Sequence, residues 1–304
     1  MSWFTSLTGH DRETDQDVRR FLRLDGTRLH SLANERTFEC GRFSMPSLSD
    51  LRGRATSDGP ACPVVSETIG DVAKLLMARE NAGAVFQVAS QFNLLEMTSP
   101  NITPEHGVGR YENDKTQGPA CAVACGAGTI YRNYFVPIGG SFGQSSGVQI
   151  DCLADVGRAL EDGGPRYWTM MNGYALPVPG GLKRLNAALA ALTSEQTREL
   201  QGKLRVGMQA GTEVTLGGVG HRVTQVFCSA MPVAYAQERD TLWAPIARLV
   251  LEAAYEVTLR VAAETLSATG NAKVFLTLLG GGAFGNRSDW IADAMLHGLC
   301  SVGA

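Results

Sequence analysis

The 304-residue sequence lacks both a strong excess of one charge and any long apolar run. Its 27 Lys and Arg residues nearly balance 30 Asp and Glu residues, which gives a formal net charge of -3. A nucleic-acid-binding or membrane-coating surface needs a positive field that this balance does not supply. No apolar run approaches the roughly 18 residues of a membrane-spanning helix, and the amino-terminal residues lack the apolar stretch of a signal peptide. We therefore expect a cytoplasmic protein that binds neither nucleic acid nor membrane.

Paired cysteines and clustered histidines are also missing from the sequence. The seven cysteines form an odd set, and the closest two, Cys121 and Cys125, have no histidine or second cysteine pair nearby to complete a zinc site. The five histidines are scattered along the chain. We expect buried, reduced thiols of the kind usual in cytosol, no bound metal and no cofactor.

Charged residues are concentrated in the first 60 positions, which hold nine Arg and nine Asp or Glu residues. Between residues 15 and 24, Val18, Phe21 and Leu22 recur among the charges at helical spacing. A run rich in Gly, Pro and Ser follows at 56–63 and is typical of a boundary. These features predict a helical accessory arm over residues 1–60 and a main domain over residues 61–304.

Strand and helix patterns alternate in the main domain. The sequence predicts buried strands at 84–89, 223–227 and 273–279, and helices at 118–135, 241–266 and 288–299. Strands that alternate with helices favour an α/β layered sheet with helices on both faces.

A glycine-rich turn lies between the last predicted strand and the last predicted helix. It consists of Gly280, Gly281, Gly282, Ala283, Phe284, Gly285 and Asn286. Glycine allows the backbone to approach an anion closely, and the free N–H groups at a helix start point towards such an anion. We predict a phosphate-binding loop, with a tight turn that holds no ligand as the alternative.

Three of these glycines, at 280, 282 and 285, match the Gly-x-Gly-x-x-Gly dinucleotide fingerprint. That fingerprint belongs to a βαβ unit, with an acidic residue about 20 positions further on and a second strand after the helix. Only a helix fits between this loop and Ala304. A conventional Rossmann dehydrogenase is therefore disfavoured.

A polar region at 87–119 follows the first predicted strand of the main domain. In an open α/β sheet, functional groups gather where strands give way to loops. Gly107 and Gly109, with Val108 between them, offer a second place for close backbone approach. The carboxylates that could accept hydrogen bonds or move a proton are Glu105, Glu112 and Asp114. A solvated loop whose acids face water is the alternative.

The two regions together resemble the macrodomain family, most closely its poly(ADP-ribose) glycohydrolase-like branch. The resemblance rests on Gln91-Phe92-Asn93 after a strand, on the acidic loop with its glycines, and on the late Gly-Gly-Gly-Ala-Phe-Gly turn. It covers residues 65–300. It implies a three-layer α/β/α mixed sheet of macrodomain type, here with an N-terminal helical extension.

The resemblance also implies a ligand, namely ADP-ribose or an ADP-ribosylated protein. In that branch a similar glycine loop wraps the diphosphate, so residues 280–286 are expected to bind it. Asn93 is expected to hold a hydroxyl of the distal ribose, with Gln91 or Gln117 assisting. Residues 107–109 are expected to hold the scissile end of the ligand. Phe284 either covers the distal ribose or fills the core where the last helix starts.

The implied reaction is hydrolysis of the bond that joins ADP-ribose to a protein side chain. Its oxocarbenium-like centre needs a nearby carboxylate and a group that moves a proton. Asp114 is the first candidate, followed by Glu112 and Glu105. The adjacent Glu-Glu pair typical of the branch is missing here, which favours a single ADP-ribose, for example on arginine, over the polymer. The alternatives are a non-catalytic ADP-ribose-binding module and an interaction scaffold.

Overall fold

The computed structural model describes residues 2–54, 64–161 and 166–302, which form a mixed α/β structure. The predicted boundary segment at 56–63 lies outside the described residues. The helices are α1 (Trp3–Thr8), α2 (Asp15–Phe21), α3 (Leu48–Arg52), α4 (Val72–Met77), α5 (Gln117–Ala124), α6 (Gly126–Ile130), α7 (Ala154–Leu160), α8 (Gly181–Ala190), α9 (Ser194–Gly202), α10 (Asp240–Thr269) and α11 (Ser288–Val302).

The strands of the described residues are β1 (Leu22–Asp25), β2 (Arg28–Ser31), β3 (Thr37–Glu39), β4 (Arg42–Ser44), β5 (Val85–Ala89), β6 (Pro137–Ile138), β7 (Ser141–Phe142), β8 (Trp168–Met171), β9 (Tyr174–Pro177), β10 (Gly207–Glu213), β11 (Arg222–Cys228) and β12 (Val274–Phe275). The main sheet has the order β12-β5-β11-β10-β4. Strands β12, β5 and β11 run parallel, whereas β10 runs antiparallel to both of its neighbours. The carboxyl ends of β5, β11 and β12 therefore lie at the same edge.

Helices pack against opposite faces of this sheet. On β5, Gln87 Nε2 donates to Thr258 Oγ1 of α10 at 3.0 Å. On β11, Gln225 Nε2 donates to the carbonyl of Cys121 in α5 at 3.0 Å. Gln225 lies opposite Phe86, the neighbour of Gln87, and adjacent residues of a strand point to opposite faces. The central strands are therefore covered on both sides, as the alternating sequence pattern predicts.

Strand β12 is shorter than the strand predicted at 273–279. Beyond Phe275, the N–H groups of Thr277 and Leu279 bond to side chains instead of to the backbone of β5. Thr277 N donates to Gln87 Oε1 at 3.2 Å, and Leu279 N donates to Tyr255 Oη at 3.0 Å. The chain thus leaves the sheet early and enters the glycine-rich turn.

The first 54 residues are not the purely helical arm that the charge pattern predicts. Besides α1 and α2 they contain the antiparallel sheet β1-β2-β3, and β4 joins the main sheet beside β10. On β2, the buried residues Leu29 and Ser31 alternate with the more exposed residues Arg28 and His30, and this period of two belongs to strands. Residues before position 60 therefore contribute directly to the main sheet.

Within the described part of the chain, no helix combines the length and the apolar character needed to cross a membrane.

Candidate functional site

A cavity of about 200 Å³ lies at the carboxyl ends of the parallel strands. Residues that follow β5, β11 and β12 form its walls, together with the start of α5 and with Tyr174 of β9. Open α/β sheets bind ligands at this edge. From the residues predicted from sequence, the cavity brings together Gln91, Asp114, Gln117, Gly280, Gly282, Ala283 and Phe284.

The glycine-rich turn forms one wall of the cavity and leaves several backbone amides unpaired. The turn is closed by hydrogen bonds from Gly285 N to Gly282 O at 3.0 Å and from Asn286 N to Gly280 O at 2.9 Å. Gly280 has φ +71, and a Cβ there would lie 2.5 Å from Ala230 Cβ. Among the described residues, no acceptor pairs with the N–H groups of Gly280, Gly282, Ala283 or Phe284. Such a row of free amides is suited to an anion.

Three members of the predicted loop lie outside the cavity lining, which corrects their predicted role as direct ligands. Asn286 is buried, and its Nδ2 donates to Met231 O at 2.8 Å and to Gly280 O at 3.3 Å. Gly281 lies against Ile291, and Gly285, with φ +70, lies against Ala234. These residues shape the turn, since a side chain at 281 or 285 would collide with a neighbour.

Phe284 is buried and also lines the cavity. It is only 8% exposed, and its ring centroid lies 5.1 Å from that of Tyr174 and 5.6 Å from that of Tyr235. All three aromatic rings line the cavity. Phe284 therefore fills the core at the last helix and also forms an apolar part of the cavity wall.

Asp114 is the only one of the three predicted catalytic acids that lines this cavity. It lies just before α5, where its Oδ1 accepts hydrogen bonds from Thr116 N at 2.9 Å and from Thr116 Oγ1 at 2.7 Å. This contact fixes the carboxylate at the start of the helix.

Glu105 and Glu112 are engaged elsewhere, which corrects their predicted place in the site. Glu105 Oε1 accepts from Ser146 N at 2.7 Å and from Ser146 Oγ at 2.9 Å on the exterior. Glu112 Oε2 accepts from Trp3 N at 3.0 Å. Short contacts with chain segments far away in sequence hold both side chains, and such contacts cannot be read from residue type.

The predicted second glycine loop, residues 107–109, is also outside the cavity. Its amides already hold an anion of the same chain, because Val108 N donates to Glu13 Oε1 at 2.6 Å and Gly109 N to Glu13 Oε2 at 2.7 Å. Tyr134 Oη donates to Glu13 Oε1 at 2.9 Å. Burial raises the pKa of Glu13, and these hydrogen bonds oppose that shift. The sequence predicts close backbone approach at these glycines, and the group that approaches them in the structure is the carboxyl group of Glu13.

Besides Asn286, the other three predicted amide side chains also make structural hydrogen bonds. Gln117 ties α5 to β5, since its Oε1 accepts from Ala89 N at 2.9 Å and its Nε2 donates to Gln87 O at 2.8 Å. Gln91 lines the cavity, but its Oε1 accepts from Met97 N at 2.6 Å. Asn93 is fully buried and donates to Gln149 Oε1 at 2.8 Å. It does not line the cavity, which corrects its predicted contact with a ribose.

Glu96 is a cavity residue to which the sequence prediction gave no role. It is 3% exposed, and its Oε1 has no hydrogen-bond partner among the described residues. Burial raises the pKa of Glu96 to about 8; the Arg132 cation opposes this shift and the negative charge of Asp114 adds to it. One sequence signal could have found it, because Glu96 is the lone acid in an otherwise apolar run from Leu94 to Met97.

Arg132 is a buried cation whose charge lowers the pKa of Glu96. Its hydrogen bonds, however, are to other groups. Its Nε donates to Leu94 O and its Nη2 to Thr129 Oγ1, both at 3.1 Å. Its guanidinium lies 3.6 Å from the ring centroid of Phe227. Burial lowers the pKa of Arg132 to about 10, so it stays positively charged at neutral pH and moderates the cost of a charge on Glu96.

The described residues contain no group of three or more His, Cys, Asp or Glu side chains arranged to hold a metal ion. Comparison with known proteins finds no matching family model, no matching curated protein and no matching solved structure. The cavity and the residues around it are therefore the features of this protein that bear on its function.

Proposed function

We propose that the protein is a hydrolase of the macrodomain type that releases ADP-ribose from ADP-ribosylated protein side chains. The main supporting observation is that two sequence-distant elements, the unpaired amides of the 280–284 turn and the carboxylate of Asp114, line one cavity. The cavity therefore combines an anion-binding surface with an acid. Cleavage of the bond between a protein side chain and a ribose that carries a diphosphate requires both.

In this proposal the diphosphate binds backbone amides, not cationic side chains. The described cavity lining contains no Lys, Arg or His. The free amides of the turn form one donor group, and the first turn of α5 at Gln117 and Gly118 forms another. First-turn amides have no partner within a helix, and the helix dipole favours an anion there. Because these donors are uncharged, they can hold the diphosphate and still allow the product ADP-ribose to dissociate.

The fold is compatible with the proposal. Parallel strands β5, β11 and β12 are covered by α5 on one face and by α10 on the other. A three-layer macrodomain also has a sheet covered by helices on both faces. Sheets of this kind bind ligands at the carboxyl ends of their strands, where the cavity lies.

The size of the cavity limits what part of the ligand it encloses. Its volume of about 200 Å³ is below the roughly 300–1,000 Å³ of sites that enclose a whole drug-sized ligand. We therefore propose that the cavity encloses the diphosphate and the distal ribose, while adenosine lies over the rim. Leu278, which lines the rim and is 68% exposed, would offer apolar contact there.

Asp114 would act on the distal ribose. Its Oδ1 is occupied by Thr116, and no partner in the described residues occupies its Oδ2, which is left to accept from a ribose hydroxyl or from the attacking water. A carboxylate at this point also stabilises positive charge that develops at the anomeric carbon. The missing Glu-Glu pair favours mono-ADP-ribosylated side chains, with arginine as the first substrate to test.

The test is the release of ADP-ribose, measured by chromatography, from a protein ADP-ribosylated on arginine. We expect wild-type turnover, and a loss of about 100-fold or more in Asp114→Asn, since general acid–base groups contribute on that scale. Asn keeps an oxygen acceptor for Thr116, so the start of α5 is preserved. Glu112→Gln is the matched control, because it neutralises a nearby acid outside the cavity.

Calorimetry with free ADP-ribose separates the alternatives. A hydrolase should keep its affinity within a few-fold in Asp114→Asn while it loses rate. Binding without release from arginine, serine or acidic-residue linkages would contradict hydrolysis and favour a binding module. Absence of binding would favour a scaffold.

A further inference from the structure

We infer that Glu96 is the proton donor of this cavity, and that its carboxyl group protonates the leaving side-chain atom as ADP-ribose departs. This inference rests on the proposed function and adds a second catalytic residue to it. It assigns distinct tasks to the two acids of the cavity, with Glu96 acting on the leaving group and Asp114 on the ribose and water.

The position of Glu96 is fixed by its main chain and by its neighbours at the start of α5. Its backbone N donates to Tyr111 Oη at 3.1 Å, which anchors the residue in the wall. A Cβ placed on Gly118 would lie only 2.4 Å from Glu96 Oε2, so the carboxyl group lies directly against the first turn of α5. Thr116 is the N-cap residue of that same helix, and its N–H donates to Asp114 just before it. Only glycine at 118 leaves room for the acid.

A purely structural role does not account for this carboxyl group. Buried acids that stabilise a fold are normally hydrogen-bonded or ion-paired. Neither oxygen of Glu96 has a hydrogen bond or ion pair within the described ranges 2–54, 64–161 and 166–302, although the side chain is 3% exposed. Arg132 donates instead to Leu94 O and Thr129 Oγ1. An unpaired acid in a cavity wall is a candidate for chemistry.

The electrostatic environment supplies the protonated form that a donor needs. Burial raises the pKa of Glu96 to about 8; the Arg132 cation opposes this rise, and the negative charge of Asp114 adds to it by a smaller amount. At neutral pH most of the carboxyl groups therefore carry a proton. A general acid works best when its pKa is close to the operating pH, and a neighbouring pair of acids in unlike surroundings divides acid and base roles.

The proposed step balances as follows. The bond between the anomeric carbon of the distal ribose and the side-chain nitrogen or oxygen breaks, and its electron pair stays on the leaving atom. That atom takes the proton of Glu96, which becomes a carboxylate. The oxygen of one water bonds to the anomeric carbon, and the proton lost by that water passes to Asp114. Return of this proton to Glu96 through solvent restores both acids, so that the net change is hydrolysis.

The experiment measures the pH dependence of turnover in wild type and Glu96→Gln, with Glu105→Gln as a control acid outside the cavity. We expect wild-type activity to fall above about pH 8, as the donor is deprotonated. In Glu96→Gln this alkaline decline should disappear and turnover should drop about 100-fold or more, while ADP-ribose affinity stays within a few-fold. Glu105→Gln should keep the wild-type profile.

The most specific test uses a substrate whose leaving group needs no proton. On ADP-ribose joined to p-nitrophenol, whose phenolate leaves unaided, Glu96→Gln should lose less than about 10-fold. A structural role would predict equal losses on both substrates. If Glu96→Gln fails to fold, Glu96→Asp replaces it, and we expect a lower rate with a retained alkaline decline. Independently of any variant, carboxyl-carbon NMR of the wild type should show a group that titrates near pH 8.

The outcomes separate the two proposals. An active wild type with an unchanged profile in Glu96→Gln, or with equal losses on the two substrates, overturns the role of Glu96 and leaves the proposed function intact. A carboxyl group at 96 that titrates near pH 4 or 5 also overturns it. A wild type that binds ADP-ribose but releases none from any linkage overturns both.

Discussion

At the scale of single residues, Glu96 and Asp114 line one cavity in very different surroundings. Asp114 is partly exposed and accepts two hydrogen bonds from Thr116. Glu96 is buried without a partner in the described part of the chain. Glu105 and Glu112 have the same chemical group but bond to Ser146 and Trp3 outside the cavity. Contacts, not residue type, separate the acids that can reach a ligand from those that cannot.

The raised pKa of Glu96, about 8, makes stability depend on pH in a defined direction. Between about pH 5 and pH 8 the native state keeps this proton while the unfolded chain, with a pKa near 4.3, has lost it. Raising the pH therefore favours unfolding, and stability contributed by the protonated form is lost as pH approaches 8. We expect the free energy of unfolding of wild type to fall by roughly 3–4 kcal/mol relative to Glu96→Gln across this range, since each pH unit contributes about 1.4 kcal/mol, less at the two ends where the group titrates.

Urea denaturation at pH 5, 6, 7 and 8 measures this difference without reference to activity. Parallel curves for wild type and Glu96→Gln would show that the acid titrates normally, and would contradict the account of its surroundings. Glu105→Gln, whose acid lies on the exterior, serves as the control.

Residue types and local pattern predict part of this site, and the reasons differ by residue. The turn at 280–285 is recognisable because glycine, a preceding apolar run and a following helix are all local signals. Asp114 is likewise found by its place after Gly107 and Gly109. Glu96 is missed because its importance comes from burial against Gly118, a contact that no local pattern reveals. Asn93, which the sequence predicts as a ligand, lies outside the cavity lining and donates to Gln149, a partner 56 positions away that no local pattern reveals.

At the scale of elements, the two glycine-containing turns differ in whether their backbone amides are hydrogen-bonded. The 280–284 turn presents unpaired amides to the cavity. The turn at 107–109 is filled by Glu13, which links the segment between α1 and α2 to the loop that leads to Asp114. Trp3 strengthens the same link, because its Nε1 donates to Gly109 O at 3.1 Å. The amino-terminal elements therefore brace one wall of the cavity.

This link predicts that Glu13→Ala destabilises the protein by about 1–3 kcal/mol, because it leaves two partly buried amides without acceptors. Millimolar formate or acetate should partly restore the melting temperature of Glu13→Ala, since the small carboxylate can occupy the vacated turn. Asp11→Ala, which removes an exposed acid of the same segment, is the control and should respond to neither change. Thermal denaturation that shows no loss, or no rescue by carboxylate, would contradict an anion-binding role for residues 107–109.

Elements with a strong period are predicted well from sequence, whereas their ends and some partners are not. Strands β5 and β11 and helix α10 match the predicted strands and helix because long apolar patterns specify them. Strand β12 is predicted too long because Thr277 and Leu279 bond to side chains of Gln87 and Tyr255. The β1-β2-β3 sheet is missed because its strands are only three or four residues long and follow a helical pattern.

At the scale of the whole molecule, the residues before position 60 cannot be separated from the main sheet without exposing it. Strand β4 covers the edge of β10. Arg52 of α3 pairs through Nη2 with Glu256 Oε2 of α10 at 2.5 Å, and Glu256 is only 1% exposed. Arg260 also binds Glu256, at 2.8 Å. The predicted accessory arm is in this respect part of the structural core.

We expect a chain that begins at residue 61 to unfold without a cooperative transition, or to aggregate. It would lack the β4 edge strand, and the buried Glu256 would lose one of its two arginine partners, a kind of loss that costs about 3–5 kcal/mol. Arg52→Ala in the full chain isolates the ion-pair part and should lower stability while cooperativity is kept. Circular dichroism during heating measures both, and a truncated chain that melts as sharply as the full chain would refute the shared core.

The measurement that tests the central claim most directly is a titration of the isotope-labelled protein with ADP-ribose, followed by amide NMR. The account predicts saturable shifts of the amides at Gly280, Gly282, Ala283 and Phe284, together with those around Asp114, because one diphosphate and its ribose contact both elements. Shifts confined to other parts of the chain, or none at millimolar ADP-ribose, would contradict it.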